Sequence, residues 1–199
     1  RAWGPDSTLP PRFVAIAGGA LHGRRIVLDP DGGGGETGGA GRSGTRAATL
    51  NLDVARALAG MLSAAGASVL LTREGDFALT DVERVERSER FLAERFLRIG
   101  HRAEPPMVGY YFSSAAGKTW AARTSDALAR IGLPAPAPAA YPQDPLHPTS
   151  GPAPSAAPAG VDAPAAEERP LGPGAIRAEA YARFVALARD FAPSADWPA

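Results

Sequence analysis

The chain has 199 residues, 45% of them apolar, enough to bury one sizeable core and, by length, to form a single domain. Its 21 basic side chains equal its 21 acidic ones, so no charge imbalance points to nucleic acid or an acidic surface as a partner. Cysteine is absent, which excludes disulfides and thiolate metal sites, and no apolar run approaches the ~20 residues of a bilayer span; any leader or anchor is expected outside this stretch of chain.

Residues 1–20 hold three prolines and the pair Gly18-Gly19, and read as an extended arm with one short strand at 13–16. The core is expected over 21–133. It opens with a β-branched run at 24–28 that stops at Asp29-Pro30, the pattern of a buried strand entering a loop, and a glycine-rich loop follows. Val54, Leu58, Met61 and Leu62 then fall at i, i+4, i+7 and i+8, predicting a helix over 51–65 that Gly66 ends. A strand at 67–74 completes a right-handed parallel crossover. Thr80 and Glu83 form a capping box ahead of a helix predicted to turn Val82, Val85, Leu92 and Phe96 inward. Glu83, Glu86, Glu89 and Glu94 interleave with Arg84, Arg87, Arg90 and Arg95, which reads as a solvated, ion-paired face.

Strands follow at 96–100 and 108–113, then a helix over 117–131 with Trp120, Leu128 and Ile131 inward. Residues 134–170 are rich in Pro and Ala, predicting a surface excursion with at most one strand, near 160–162. Within 171–192, a closing helix places Ile176, Ala180, Phe184, Leu187 and Phe191 on one face. The expected fold class is α/β: a three-layer sandwich, with a mostly parallel sheet and helices on both faces.

Two phosphate motifs fail on context. Gly33-Gly34-Gly35-Glu36-Thr37-Gly38 fits a dinucleotide fingerprint, but no helical pattern follows directly to receive a pyrophosphate. Gly117-Lys118-Thr119 lacks the glycine five residues upstream, where Phe112 stands. His22, His101 and His147 lie on loops or strand ends and read as solvated or turn-packing.

Taken together, "RRIVLDPDGGGG", "GRSGTRAATLNLDVARALAGMLSAAGASVLLTREGD" and "FLRIGH" resemble the zinc-dependent N-acetylmuramoyl-L-alanine amidases. These cell-wall hydrolases cut between the muramic acid lactyl group and the first alanine of the stem peptide. The resemblance spans about residues 20–132 and is most specific over 44–76; it implies the amidase, phosphorylase/hydrolase-like form of the α/β sandwich.

The resemblance also implies three metal positions. The family's first strand ends Asp-Pro-Gly-His-Gly-Gly with the histidine on zinc; aligned on Asp29-Pro30, Asp31 stands at the glycine and Gly32 at the histidine. The glutamate ligand of Gly-Leu-Arg-Glu-x-x-x-Asn-Leu falls on Ala47, aligned on Gly44 and Asn51-Leu52. The histidine of Ser-Ile-His falls on Gly100, with His101 one residue late and expected to face the other way. The family's acid/base glutamate has only Asp162 as a loose counterpart. Because a catalytic zinc needs about three N or O donors and an open position, no cofactor is expected here.

The resemblance thus implies an extracytoplasmic, cell-envelope domain that binds peptidoglycan fragments or an envelope protein without cutting. The alternative is an active hydrolase with a displaced zinc site built from Asp31, Glu36 and His101, with Asp162 as base. A third possibility is a fold-level likeness alone, on a scaffold doing something unrelated.

Overall fold

The computed structural model describes residues 11–40, 44–101, 106–133, 136–141, 154–157 and 172–197. In chain order the elements are α1 (Pro11–Leu21), β1 (Arg25–Pro30), α2 (Ala47–Ala64), β2 (Ser68–Leu71), α3 (Asp81–Phe91), β3 (Arg95–Ile99), β4 (Met107–Tyr111), α4 (Ala115–Arg130), β5 (Ala139–Tyr141), β6 (Pro154–Ala157) and α5 (Pro173–Phe191). The six strands form one sheet in the order β2-β1-β3-β6-β4-β5. Every pairing is parallel except β4 with β6. The α/β class with a mostly parallel sheet holds.

Strand alternation divides the layers. Ile26, Leu28, Leu97 and Ile99 pack on α1, α2 and α5, whereas Val27 and Phe96 face Phe91 at the end of α3. A further cluster joins Val108 and Tyr110 of β4 to Leu128 of α4 and Ala182 and Ala186 of α5. α2 ends in a Schellman motif: Gly66, at φ +87, donates to the Ser63 carbonyl at 2.9 Å and Ala67 to that of Leu62 at 3.0 Å. The capping box is present, with Glu83 N donating to Thr80 Oγ1 at 3.2 Å and Thr80 N to Glu83 Oε2 at 2.7 Å.

Three expectations are corrected. The arm from 11 to 21 is helical, because Phe13, Ala17 and Leu21 recur at i, i+4 and i+8 and are all buried. α3 does not turn Val82 and Leu92 inward; both are 67% exposed, and Leu92 is the left-handed cap at φ +55. It buries Arg84 and Ser88 instead. The 134–170 stretch contributes two strands, β5 and β6, the latter between β3 and β4. The strand expected at 160–162 lies outside the described residues, as does most of that stretch. No helix among the described residues is long and apolar enough to cross a membrane.

Candidate functional site

The carboxyl ends of β1 and β3 lie side by side, Pro30 in register with Ile99, and Asp31 N extends the ladder to the Ile99 carbonyl at 2.9 Å. This edge is where parallel α/β sheets place ligands. The glycine-rich loop folds over it. Gly33 and Glu36 close a tight turn by reciprocal backbone bonds of 2.9 and 3.0 Å. The first amides of α2 donate to that loop: Ala47 N to Gly39 O and Ala48 N to Thr37 O, both at 3.0 Å. The helix start, where Arg46 provides no side-chain cap, is thus satisfied by loop carbonyls and offers no amide nest to an anion.

Two polar side chains fix the loop from outside the helix. Asp76 accepts from Gly34 N at 2.8 Å and from Arg46 Nη1 at 2.8 Å, while Arg46 Nη2 donates to the Gly34 carbonyl. The Gly34 amide, helped by Arg46, holds the Asp76 carboxyl below its usual range. Arg73, buried, donates to four carbonyls: Pro30 at 2.9 Å, Gly75 at 2.9 Å, Asp31 at 3.1 Å and Ala48 at 2.7 Å. One guanidinium therefore ties the end of β1, the start of α2 and the loop after β2 together.

The three aligned positions have no donor side chain, and at Gly32 there is little room for one. Gly32 sits at φ +73, and a Cβ there would lie 2.6 Å from the Glu36 carbonyl oxygen and 3.1 Å from Ala48 Cβ. Ala47 is fully buried, 3.1 Å from where a Cβ on Gly38 would fall. Gly100 is buried at the end of β3.

Charge has gathered on either side. Toward α3, buried Asp29 accepts from Thr72 Oγ1 at 2.6 Å and from Arg84, and lies 3.5 Å from Arg98 Nε. Arg98 Nη2 reaches Asp31 Oδ1 at 2.8 Å and Asp81 Oδ1 at 3.3 Å. Burial works against the Arg98 charge, but the three aspartates more than offset it and raise its pKa. Toward α2 and α5, His101 Nδ1 meets Asn51 Oδ1 at 2.7 Å and its Nε2 meets Glu179 Oε2 at 2.9 Å. Asn51 Nδ2 donates to the Asp31 carbonyl at 3.0 Å, and Arg183 Nη2 to Glu179 Oε1 at 2.6 Å. Burial raises the Glu179 carboxyl pKa, yet the His101 and Arg183 charges hold it far below the ordinary range.

The residues named from the sequence are therefore dispersed. Asp31 is paired with Arg98, Glu36 is exposed on the loop, and His101 is buried with both ring nitrogens engaged, not solvated. His101 lies on the Leu97 and Ile99 side of β3, opposite Arg98. Asp162 and His147 fall outside the described residues. Among the described residues no three His, Asp or Glu side chains come together so as to hold a metal ion. Sequence reasoning missed Arg73, Arg98 and Glu179. It also put Arg84 on a solvated face, whereas Arg84 is buried against Asp29; Glu86 and Arg90, 3.1 Å apart, do form an exposed pair. At the opposite, amino edge lies an apolar cleft of about 470 Å³ between α1 and the end of α2, lined by Val14, Gly18, Met61 and Phe184 among others.

The family model for N-acetylmuramoyl-L-alanine amidase matches residues 26–125. No curated protein sequence matches the chain. Among solved structures, the amidase AmiC2 of Nostoc punctiforme superposes with a TM-score of 0.73 at 21% identity, over 85% of this chain and 96% of that one. The amidase Ami1 of Mycobacterium smegmatis gives 0.74 at 20% identity, over 87% and 99%. The CwlD amidase of Clostridioides difficile, in complex with the GerS lipoprotein, gives 0.73 at 17% identity, over 86% and 100%. At such identities the likeness is one of fold.

Proposed function

Since the chain belongs to the N-acetylmuramoyl-L-alanine amidase family, we propose that it is a member that has kept the scaffold and lost the metal chemistry, and that it binds cell-wall material outside the cytoplasm without cutting it. Peptidoglycan fragments are the first candidate ligand. An envelope protein is the second, a reading supported by the CwlD neighbour, which is complexed with a lipoprotein.

One observation carries the reading: Gly32, at the position the resemblance assigns to a zinc histidine, adopts a left-handed conformation in which a Cβ would meet the Glu36 carbonyl at 2.6 Å. A catalytic zinc takes about three N or O ligands at ~2.0–2.2 Å, and hydrogen or methyl groups at 32, 47 and 100 supply none. The donor set does not fit zinc, so no hydrolytic step is derived through it. Two further departures reinforce each other: Asp31 replaces the family's glycine and Arg98 its serine, and these two side chains pair at 2.8 Å across the ends of β1 and β3. Arg98 holds Asp31 Oδ1, and both ring nitrogens of His101 are engaged by Asn51 and Glu179, which favours this reading over the displaced site.

The test is elemental analysis of purified protein together with a muropeptide digest and co-sedimentation with peptidoglycan sacculi. The expected result is no stoichiometric zinc, intact muropeptides, and protein in the pellet. Stoichiometric metal that disappears in Asp31→Ala or His101→Ala would establish the displaced-site hydrolase instead. Protein wholly in the supernatant would remove peptidoglycan as the ligand.

A further inference from the structure

The sheet ends in two edge strands, and the chain treats them differently. β5 is three residues long, with Pro138 directly before it and Pro142 directly after, and proline cannot donate to a further strand. β2 reads Ser68-Val69-Leu70-Leu71, with neither proline nor charge. Sheets ordinarily blunt an edge with one or the other, or cover it, so a bare apolar edge is a template for another strand.

The ladder to β1 defines what that edge offers. Ser68 N donates to Arg24 O at 2.8 Å and Thr72 N to Leu28 O at 2.9 Å. In a parallel pair Ser68, Leu70 and Thr72 therefore face β1, while Val69 and Leu71 turn their N–H and C=O groups outward. Among the described residues β2 pairs only with β1, and none of those four outward groups is bonded. The open stretch is bounded: Ala67 N donates to Leu62 O at 3.0 Å, and Arg87 Nη1 donates to the Thr72 carbonyl. Side chains alternate across the sheet, Val69 and Leu71 on the α2 side and Leu70 on the side of Val27 and Phe96, and all three are only partly buried.

This set of groups is complementary to itself. Laid antiparallel about a two-fold axis beside Leu70, Val69 of one copy faces Leu71 of the other and exchanges two hydrogen bonds with it, and the axis repeats the exchange. Leu70 then stands opposite its own copy as the close, non-hydrogen-bonded pair. Only this register uses all four open groups, and it brings apolar side chains together on both faces, Val69 beside Leu71 and Leu70 beside Leu70. No charge in the strand selects an unlike partner. We infer that the β2 edge is the interface of a homodimer, in which two six-stranded sheets join into one. A four-residue pairing lies at the small end of interfaces, below ~1,200 Å², so the dimer forms at micromolar concentrations rather than below them. Because the axis reverses strand direction, the carboxyl edges of the two copies point in opposite directions. The inference does not depend on what those edges bind.

Sedimentation velocity from micromolar to near-millimolar protein tests it, together with oxidative cross-linking; the chain lacks cysteine, so one introduced thiol reports one position. The wild type is expected to pass from monomer to dimer over that range. Leu70→Cys is expected to give a disulfide-linked dimer, because its β-carbons stand ~4.5 Å apart across the axis. Val69→Cys lies two residues out of step with its own copy, ~7 Å along the strand, and is expected to cross-link about tenfold more slowly. Leu70→Lys sets like charges opposite each other and is expected to raise the dissociation midpoint about tenfold. Should Leu70→Lys fail to fold, Val69→Pro replaces it, removing an outward N–H while the β1 ladder stays whole; it is likewise expected to weaken association. A wild type that stays monomeric throughout, a dimer indifferent to the Lys or Pro variant, or cross-linking at 69 as fast as at 70 overturns the interface.

Discussion

The two flanks of the β3 terminus hold charge in different ways. Toward α3, Arg98 is shared among Asp29, Asp31 and Asp81, is partly open to solvent, and is backed by Arg84 and Thr72, so both Arg98 and Asp29 have more than one partner. Toward α5, His101, Glu179 and Arg183 are all almost fully buried, and the Glu179 carboxylate is the group that both other side chains touch. A shared, partly solvated network tolerates the loss of one member better than a sealed, fully buried one does. Between them lies Gly100, where the resemblance places a ligand and no side chain exists.

The comparison breaks most visibly at Glu179. Glu179→Ala removes the buried carboxylate that His101 Nε2 and Arg183 Nη2 both contact, and is expected to cost about 3–5 kcal/mol in a urea titration. Next comes Gly32→Ala, which adds a methyl group in a left-handed turn against the Glu36 carbonyl; about 1–3 kcal/mol is expected in the same measurement. Arg98→Ala is expected to cost less than Glu179→Ala, on the order of 1–3 kcal/mol, because Asp29 keeps Arg84 and Thr72. Equal losses at 98 and 179 would erase the distinction between shared and sealed.

Acid sharpens the same contrast. The Glu179 pKa is depressed on folding, so its ionised form contributes stability above the unfolded-state value of about 4.3, and that contribution is lost as pH falls below it. The stability gap between wild type and Glu179→Gln is expected to shrink steadily from pH 5 toward pH 2, followed by denaturant midpoints. A constant gap would mean that the carboxylate charge contributes nothing.

Local pattern was readable in the sequence where local interactions decide. The α2 stripe, its Gly66 ending and the Thr80 and Glu83 box depend on residues a few positions apart, and all are present. α1 was misread because Pro11 and the Gly18-Gly19 pair masked the buried stripe of Phe13, Ala17 and Leu21. β6 has no β-branched residue in Pro154–Ala157, and only its place in the sheet makes it a strand. The site was legible as three missing donors, since alignment by Asp29-Pro30 and Asn51-Leu52 needs only text. Its ionic replacements were not: Arg84 finds Asp29 across 55 positions, Arg98 finds Asp31 across 67, and Glu179 finds His101 across 78. A charged helical residue facing inward carries no local mark when its partner is that distant.

The order of strands has a consequence for how the molecule is made. β2, β1 and β3 come from one contiguous stretch, and β4 and β5 from the next, but the seam between these wings is β6, which reaches the ribosome exit after all of them. Until Pro154–Ala157 emerges, the growing chain has β3 as the bare rim of one wing and β4 as that of the other, and the apolar face that α5 covers is still open. The nascent protein is therefore most exposed to sticking to its neighbours during that interval, and a stall in translation just before residue 154 would prolong it.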